Sequence, residues 1–228
     1  MLRWLANLSG ATETSAAISE HDPVITLAPT RAKRYFRRIE KTLAWLREEY
    51  NVHECVGSEY RRLESALRRF SVPGNPKQLR LLNAYAFHND HASAHWFTFA
   101  YYEAGGGSRT RYAGDFLRQG AIVETPFLAG DVFIRPEGFT DTVSEWFQGV
   151  EVDFPEHPRF CRKYYVLAAN EAELRKHLPA EVLDALARTS GLFVRLLNDR
   201  ALVASDRVIR PRDAVRTVEI AAALHTCR

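Results

Sequence analysis

The sequence predicts an α+β protein with a mainly antiparallel sheet, an N-terminal helical hairpin and a C-terminal helix. Near both ends, apolar residues recur every three or four positions, which is typical of amphipathic helices. Between these regions, short runs rich in aromatic and β-branched residues are separated by turn residues, which is typical of strands. Strands and helices are clustered rather than strictly alternating, and this order favours antiparallel pairing.

The N-terminal helices are predicted from two apolar stripes in residues 31–72. The first stripe consists of Phe36, Ile39, Leu43, Leu46 and Tyr50, and the second of Tyr60, Leu63, Leu67 and Phe70. Each stripe steps by three or four residues and so marks one face of a helix. Gly57 and Ser58 separate the stripes, and Ser58 can cap the second helix. Because the connection is short, we expect an antiparallel hairpin, which Pro73 and Pro76 end.

Residues 77–228 are predicted to contain the sheet. Strands are expected at residues 79–87, 94–102, 110–125, 131–135, 162–168, 193–197 and 201–205. The third of these is expected to be interrupted near Gly120, since glycine weakens a strand. Helices are expected at residues 139–147, at 171–189 with a step at Pro179, and at 211–225.

The composition is that of a globular protein. Of the 228 residues, 46% are apolar and 26% are charged, which excludes a disordered, collagen-like or disulfide-scaffold chain. The length fits one domain. Residues 9–30 lack a sustained apolar period, so we expect a flexible lead-in at residues 1–30 and a single domain at residues 31–228.

The sequence favours a cytoplasmic protein. It contains no run of about 18 apolar residues that could span a bilayer, and residues 1–8 are too short for the apolar region of a secretory signal. The cysteines, Cys55, Cys161 and Cys227, are odd in number and include no Cys-x-x-Cys pair. We therefore expect reduced thiols, with neither a disulfide framework nor a cysteine zinc site.

One face of the first helix combines cations with a tryptophan. At about 100° per residue, Arg34, Arg38, Lys41 and Trp45 share a sector opposite the apolar stripe. This face predicts binding to an acidic protein or an anionic membrane surface, including peripheral association with the inner membrane. The alternative is a solvated face on which the lead-in covers Trp45. A nucleic-acid partner is disfavoured, because the net charge of +3 is modest and the aromatic residues concentrate in the strands.

His88, His91 and His95 are the candidate metal ligands. On a helix they would share one face and could supply the three nitrogen ligands of a catalytic zinc site. Asn89 and Asp90, however, predict a turn between two strands, which directs the imidazoles apart. We therefore expect no metal and no other cofactor.

Two segments carry a family resemblance. Residues 128–137 (LAGDVFIRPE) and 151–164 (EVDFPEHPRFCRKY) resemble a group of uncharacterised bacterial proteins. In that group a Phe-x-Leu-Arg-Pro-Glu strand precedes an acidic-Phe segment and a His-Pro-x-Phe segment, and the match continues through residues 171–183. Many relatives look like soluble domains attached to N-terminal membrane segments, with no assigned activity. This sequence differs from them in that it has no such segment.

The same segments define a corner with four candidate pocket residues, Arg135, Glu137, Asp153 and His157. Arg135 can pair with Glu137 or Asp153 and so fix the corner, which is an architectural role. Asp153 and His157 could instead line a small polar pocket. Cys161 follows His157 by four residues, but a small buried thiol is the expected role for it rather than a nucleophile.

No Gly-x-Ser-x-Gly elbow, His-Glu-x-x-His helix or Walker loop occurs in the sequence. We therefore predict a bacterial, non-catalytic binding or interaction module that uses the basic helix face. The alternative is a hydrolase or metal-dependent enzyme that uses His88, His91 and His95 or the Asp153 and His157 corner.

Overall fold

The computed structural model describes residues 29–70, 79–90, 92–101, 117–125, 130–137, 149–197, 199–205 and 210–226. The strands are β1 (Asn51–Glu54), β2 (Leu79–His88), β3 (Ser93–Tyr101), β4 (Leu117–Glu124), β5 (Val132–Pro136), β6 (Val150–Glu151), β7 (Tyr164–Ala168), β8 (Leu192–Leu197) and β9 (Arg200–Ser205). The helices are α1 (Pro29–Glu49), α2 (Gly57–Leu67), α3 (Pro158–Cys161), α4 (Glu171–His177), α5 (Ala180–Ala187) and α6 (Pro211–His225).

The strands form one antiparallel sheet in the order β1-β2-β3-β4-β9-β8-β5-β7-β6. The predicted α+β class with a mainly antiparallel sheet is confirmed. β1, β6 and α3 were not predicted, because each has four residues or fewer and shows no clear period. The lead-in at residues 1–28, the predicted helix at 139–147 and residues 110–116 of the predicted third strand lie outside the described residues.

The sheet buries both of its faces. Successive residues in a strand point to opposite faces, and both members of the pairs Ala86–Phe87 in β2 and Trp96–Phe97 in β3 are buried. Phe87 and Trp96 lie in a core cluster with residues of α1 and α6, on what we call the first face. Ala86 and Phe97 lie in a cluster with residues of α2, on the second face.

The two N-terminal helices form where they were predicted, but they cover opposite faces of the sheet rather than forming the expected hairpin. β1 lies between them and pairs with β2 at the sheet edge, with Val52 opposite Phe87. α1 packs on the first face through residues such as Leu43, whereas α2 packs on the second face through Leu63 and Leu67. An apolar stripe identifies the buried side of a helix but does not specify the surface that covers it.

The turn from β1 into α2 fixes the position of Cys55. The backbone N–H of Cys55 donates to the carbonyl oxygen of Ala84 at 2.9 Å, which ties the turn to β2. Gly57 begins α2 with a φ of 57°, a conformation that favours glycine. Val56 is the N-cap residue and makes no side-chain cap hydrogen bond, so the predicted Ser58 cap is not formed.

A buried hydroxyl network joins α1 to the sheet. The Tyr35 hydroxyl lies 2.6 Å from Thr98 Oγ1 and accepts a hydrogen bond from Asn83 Nδ2 at 2.9 Å. Asn83 Nδ2 also donates to Thr98 Oγ1 at 3.2 Å. Burial raises the pKa of Tyr35, so the phenol stays neutral and able to donate.

We expect Tyr35→Phe to lower the free energy of unfolding by about 1–2 kcal/mol, since one buried network loses its central hydroxyl. Asn83 and Thr98 can still bond each other, which keeps the loss near the lower end of that range. Urea denaturation measures the change, with Tyr50→Phe as the control because Tyr50 is half-buried and packs against the same core cluster. Equal stability of the Tyr35→Phe variant and the parent would show that the network contributes nothing.

Gly120 does not interrupt its strand, contrary to the sequence prediction. It pairs with Phe97 in β3 and with Ala204 in β9 inside the continuous strand β4. A Cβ at this position would lie 2.8 Å from Cζ of Phe97 and 3.1 Å from the carbonyl oxygen of Val203. The glycine therefore makes room for the buried Phe97 ring.

Gly120→Ala is expected to destabilise the fold by about 1–3 kcal/mol, because the added methyl group overpacks a core that already holds Phe97. Thermal and urea unfolding provide the measurement. Gly130→Ala is not a suitable control, because Gly130 has a φ of 80° and alanine would be strained in that backbone conformation. Ala121→Gly, which removes a buried methyl group from the same strand, provides the comparison for loss rather than gain of core volume. A Gly120→Ala variant as stable as the parent would contradict this role.

Candidate functional site

A groove of about 440 Å³ lies at the end of the sheet where β2 turns into β3, mainly on the second face. We call it the α2 groove. Its apolar lining comes from Leu63, Ala66, Ala86, Phe87, Ile122 and Val123. Its polar lining comes from His53, Glu59, Arg62, His88, Ser93, His95, Glu124, Arg200 and His225. The groove thus combines an apolar base with four imidazoles, two carboxylates and two guanidinium groups.

The sheet register places two imidazoles on either side of a small residue. His53 in β1 and His95 in β3 are both opposite Ala86 in β2, so all three share the second face. The methyl group of Ala86 leaves space above it for both rings. Glu59, in the first turn of α2, reaches into that space, with Oε1 3.3 Å from Nε2 of His53 and 3.7 Å from Nε2 of His95.

Cys55 completes this cluster. Its side chain is buried, at 3% exposure, and its Sγ, a Glu59 carboxylate oxygen and a His95 ring nitrogen all lie within 4.8 Å of one another. Burial, together with the nearby charge of Glu59, raises the pKa of the Cys55 thiol to about 12. Burial also lowers the pKa of His95, although Glu59 opposes this shift. At neutral pH the thiol is therefore protonated and the imidazole neutral.

The mouth of the groove is formed by β4, β9 and the end of α6. Nδ1 of His225 donates to the carbonyl oxygen of Glu124 at 2.8 Å. Arg200 lies 3.7 Å from the Glu124 carboxylate. Arg62 on α2 is exposed and forms no ion pair with a residue in the described ranges.

Of the three histidines singled out in the sequence, two line this groove. His88 is exposed and His95 is half-buried, on the same face of neighbouring strands, whereas His91 lies outside the described residues. The expected turn at Asn89 is present, with Asn89 Oδ1 accepting from the backbone N–H of Ala92 at 2.8 Å. His95 makes its close contacts with Glu59 and Cys55, which the sequence did not connect to it.

The basic helix face lies on α1, away from the α2 groove. Arg34 and Lys41 are exposed, and Arg38 is half-buried. Trp45 is half-buried and packs against the core of the first face, with its ring edge-to-face to Tyr50 at a centroid distance of 6.3 Å. Packing within the protein therefore explains the position of Trp45 on the basic helix face.

The four corner residues do not converge on one pocket. The Arg135 guanidinium stacks 4.9 Å from the centroid of the Tyr165 ring, and Glu137 and Asp153 are exposed. Nδ1 of His157 lies 3.4 Å from the Asp184 carboxylate. Both residues line a separate groove of about 400 Å³ beside α5.

Cys161, close to this corner, donates from Sγ to the carbonyl oxygen of Phe154 at 3.1 Å. Cys161 is half-buried, not fully buried as expected, and the contact of its thiol with the backbone agrees with a packing role.

No family model, curated protein or solved structure was found to match this chain. The resemblance carried by residues 128–137 and 151–164 therefore stays a prediction. Among the helices that the structure describes, none has the length and apolar character needed to cross a membrane.

In chelator-treated protein we expect His95 to titrate below its ordinary value of 6.5, because burial disfavours the imidazolium. Replacing the opposing carboxylate by Glu59→Gln should lower the pKa of His95 further. Because His95 binds a proton more readily in the unfolded chain, protonation of His95 lowers the free energy of unfolding. The fold has its full stability above about pH 6.5 and loses the His95 contribution as the pH falls towards the folded-state pKa.

NMR titration of the ring signals measures this shift. Glu173→Gln, a change beside His177 on α4, serves as the control and should leave the His95 titration unchanged. A His95 pKa at or above 6.5 would contradict the burial argument.

Proposed function

We propose that this protein is a non-catalytic binding module whose ligand site is the α2 groove, and that the ligand is a small molecule with an anionic group attached to an apolar body. The observation that carries the proposal is the groove itself, with its apolar base and charged rim. Its volume of about 440 Å³ falls within the range of small-molecule sites, about 300–1,000 Å³.

The charges at the rim favour an anion. Glu59 faces His53 and His95, so its carboxylate is already engaged inside the groove. Arg200 contacts Glu124 only at 3.7 Å, and the side chains are 35% and 77% exposed. Such an exposed pair contributes little, so Arg200 can exchange Glu124 for a ligand at small cost. With Arg62, it presents two guanidinium groups to an incoming carboxylate, sulfonate or phosphate.

The apolar base of the groove would contact the apolar body of the ligand. Leu63 and Ala66 of α2 form one wall, and Ala86 and Ile122 of the sheet form the floor. These side chains are held in the core of the second face and are already nearly covered, so the surface that they offer a ligand is small but preformed. Little of the binding energy is then spent on ordering side chains.

The basic face of α1 is the competing surface, for an acidic protein or an anionic membrane. It carries exposed cations at Arg34 and Lys41, but the packing of Trp45 against Tyr50 leaves the aromatic residue without a further role there. Exposed cations alone are usual on a solvated helix face. The groove therefore has the stronger support, and one experiment can separate the two surfaces.

The probe is 8-anilino-1-naphthalenesulfonate, which joins a sulfonate to apolar rings. We expect saturable binding with enhanced fluorescence at one site per chain. Arg62→Ala and Arg200→Ala should each weaken binding by about tenfold, the effect of one charged contact worth about 1.4 kcal/mol. Arg34→Ala, an equally charged change on α1, is the matched control and should leave the affinity unchanged.

The variants distinguish binding in the α2 groove from binding on the basic face of α1. Binding that is weakened by Arg34→Ala and Lys41→Ala, but not by the groove variants, would assign recognition to the basic face and overturn the proposal. The absence of saturable binding by the folded protein would also overturn it. Circular dichroism of each variant shows whether the fold is retained, so that dye bound to unfolded chain is not mistaken for groove binding.

A further inference from the structure

The cluster of Cys55, Glu59 and His95 contains the three kinds of ligand atom that proteins use to hold zinc. The side-chain atoms are a thiol sulfur, a carboxylate oxygen and a ring nitrogen, and all lie within 4.8 Å of one another. In a tetrahedral zinc site with bonds of about 2.0–2.3 Å, neighbouring ligand atoms lie about 3.3–3.8 Å apart. The side chains therefore need to close by at most about 1.5 Å to share one ion.

The distance between Glu59 and His95 agrees with this arrangement better than with a direct hydrogen bond. Oε1 of Glu59 lies 3.7 Å from Nε2 of His95, whereas a hydrogen bond between nitrogen and oxygen is about 2.7–3.2 Å long. A separation of 3.7 Å is within the reach of an ordinary ion pair, and it is also close to the spacing of two atoms that share one ion. Glu59 Oε1 contacts Nε2 of His53 as well, at 3.3 Å.

We propose that Cys55 Sγ, a carboxylate oxygen of Glu59 and Nε2 of His95 bind one transition-metal ion of the zinc class, at the base of the α2 groove. This inference stands on the ligand cluster and does not rest on the small-molecule ligand proposed above. It differs from the set His88, His91 and His95 considered in the sequence, because only His95 is shared.

Three separate elements hold the ligands, and each is anchored. Cys55 follows β1 and is tied to Ala84 by its backbone hydrogen bond. Glu59 lies in the first turn of α2, which packs on the sheet through Leu63. His95 lies within β3, between β2 and β4. A site assembled from a helix, a strand and an anchored turn of one sheet is preorganised, which favours metal binding.

The donor set selects the class of metal. A thiolate and an imidazole are soft or borderline ligands that suit Zn²⁺, Co²⁺ and related ions, whereas Mg²⁺ and Ca²⁺ require oxygen ligands. The cation would also stabilise the thiolate of Cys55 directly, because a metal ion is the largest local charge in such a site.

The position of the three ligands leaves the ion open to the groove. Glu59 and His95 line the groove, and Cys55 lies buried behind them. Three protein ligands with a fourth position free for water or a ligand is the arrangement of accessible zinc sites. His53, beside Glu59 and 54% exposed in its side chain, lies next to this open position.

The test uses the full chain, freed of any tag and of bound metal by a chelator and kept reduced by a phosphine. Co²⁺ is titrated as a spectroscopic probe and is then displaced by Zn²⁺. We expect one equivalent of Co²⁺, a near-ultraviolet charge-transfer band from a thiolate, loss of that band on addition of Zn²⁺, and a rise in melting temperature with either ion.

Four variants locate the ion. Cys55→Ser and His95→Asn should weaken binding by about a hundredfold or more, since loss of outer hydrogen-bond partners alone costs up to about a hundredfold. Cys55→Ser should also abolish the charge-transfer band. Cys161→Ser and Glu64→Gln, matched changes at a second cysteine and on the same helix, should retain both affinity and band. If His95→Asn fails to fold in chelator, Glu59→Gln replaces it.

Three outcomes overturn the proposal. The first is a folded protein that holds no ion after incubation with excess Zn²⁺. The charge-transfer band could persist in Cys55→Ser, which would place the ion on another thiol. The third is an equal loss of Co²⁺ binding in Cys161→Ser or Cys227→Ser, which would also place the ion on another thiol.

Discussion

Burial of both faces of one antiparallel sheet is the constraint on which the rest of the structure depends. Because Ala86 and Phe87 are adjacent and point to opposite faces, each face requires its own cover. α1 and α6 cover one face, and α2 covers part of the other. The chain must therefore cross the sheet edge between α1 and α2, and β1 is the segment that does so. This crossing places His53, Cys55 and Glu59 beside His95, so the candidate site is a consequence of the way in which the sheet is covered.

Most of the elements could be predicted from the sequence, because their patterns are local. The aromatic run around Trp96 predicts a buried strand, and the residues from Pro211 to His225 predict the final helix with the bounds that the structure has. β1 could not be predicted in this way. It has four residues, of which only Val52 is apolar, and its pairing with β2 is specified by the sheet edge rather than by its own composition.

The candidate site was only partly predictable for the same reason. His95 could be singled out because it belongs to a group of histidines, but its neighbours Cys55 and Glu59 are about forty residues earlier in the chain. Without β1 no argument from spacing connects them, since the register of β1 with β2 and of β2 with β3 aligns them. The available signal was the sequence His53-x-Cys55 shortly before a helix whose first turn contains Glu59.

The location of the cluster has a consequence for the edge of the sheet. Among the described strands β1 pairs only with β2, and three of its four side chains are exposed. Polar side chains on such a short edge strand limit pairing with other chains, but they also leave the strand with little apolar burial to hold it. An ion shared by the residue that follows β1, by α2 and by β3 would connect this weakly held edge to the interior of the sheet. Binding to the folded chain alone would then stabilise the edge strand, so occupancy of the groove and order at the sheet edge would be coupled.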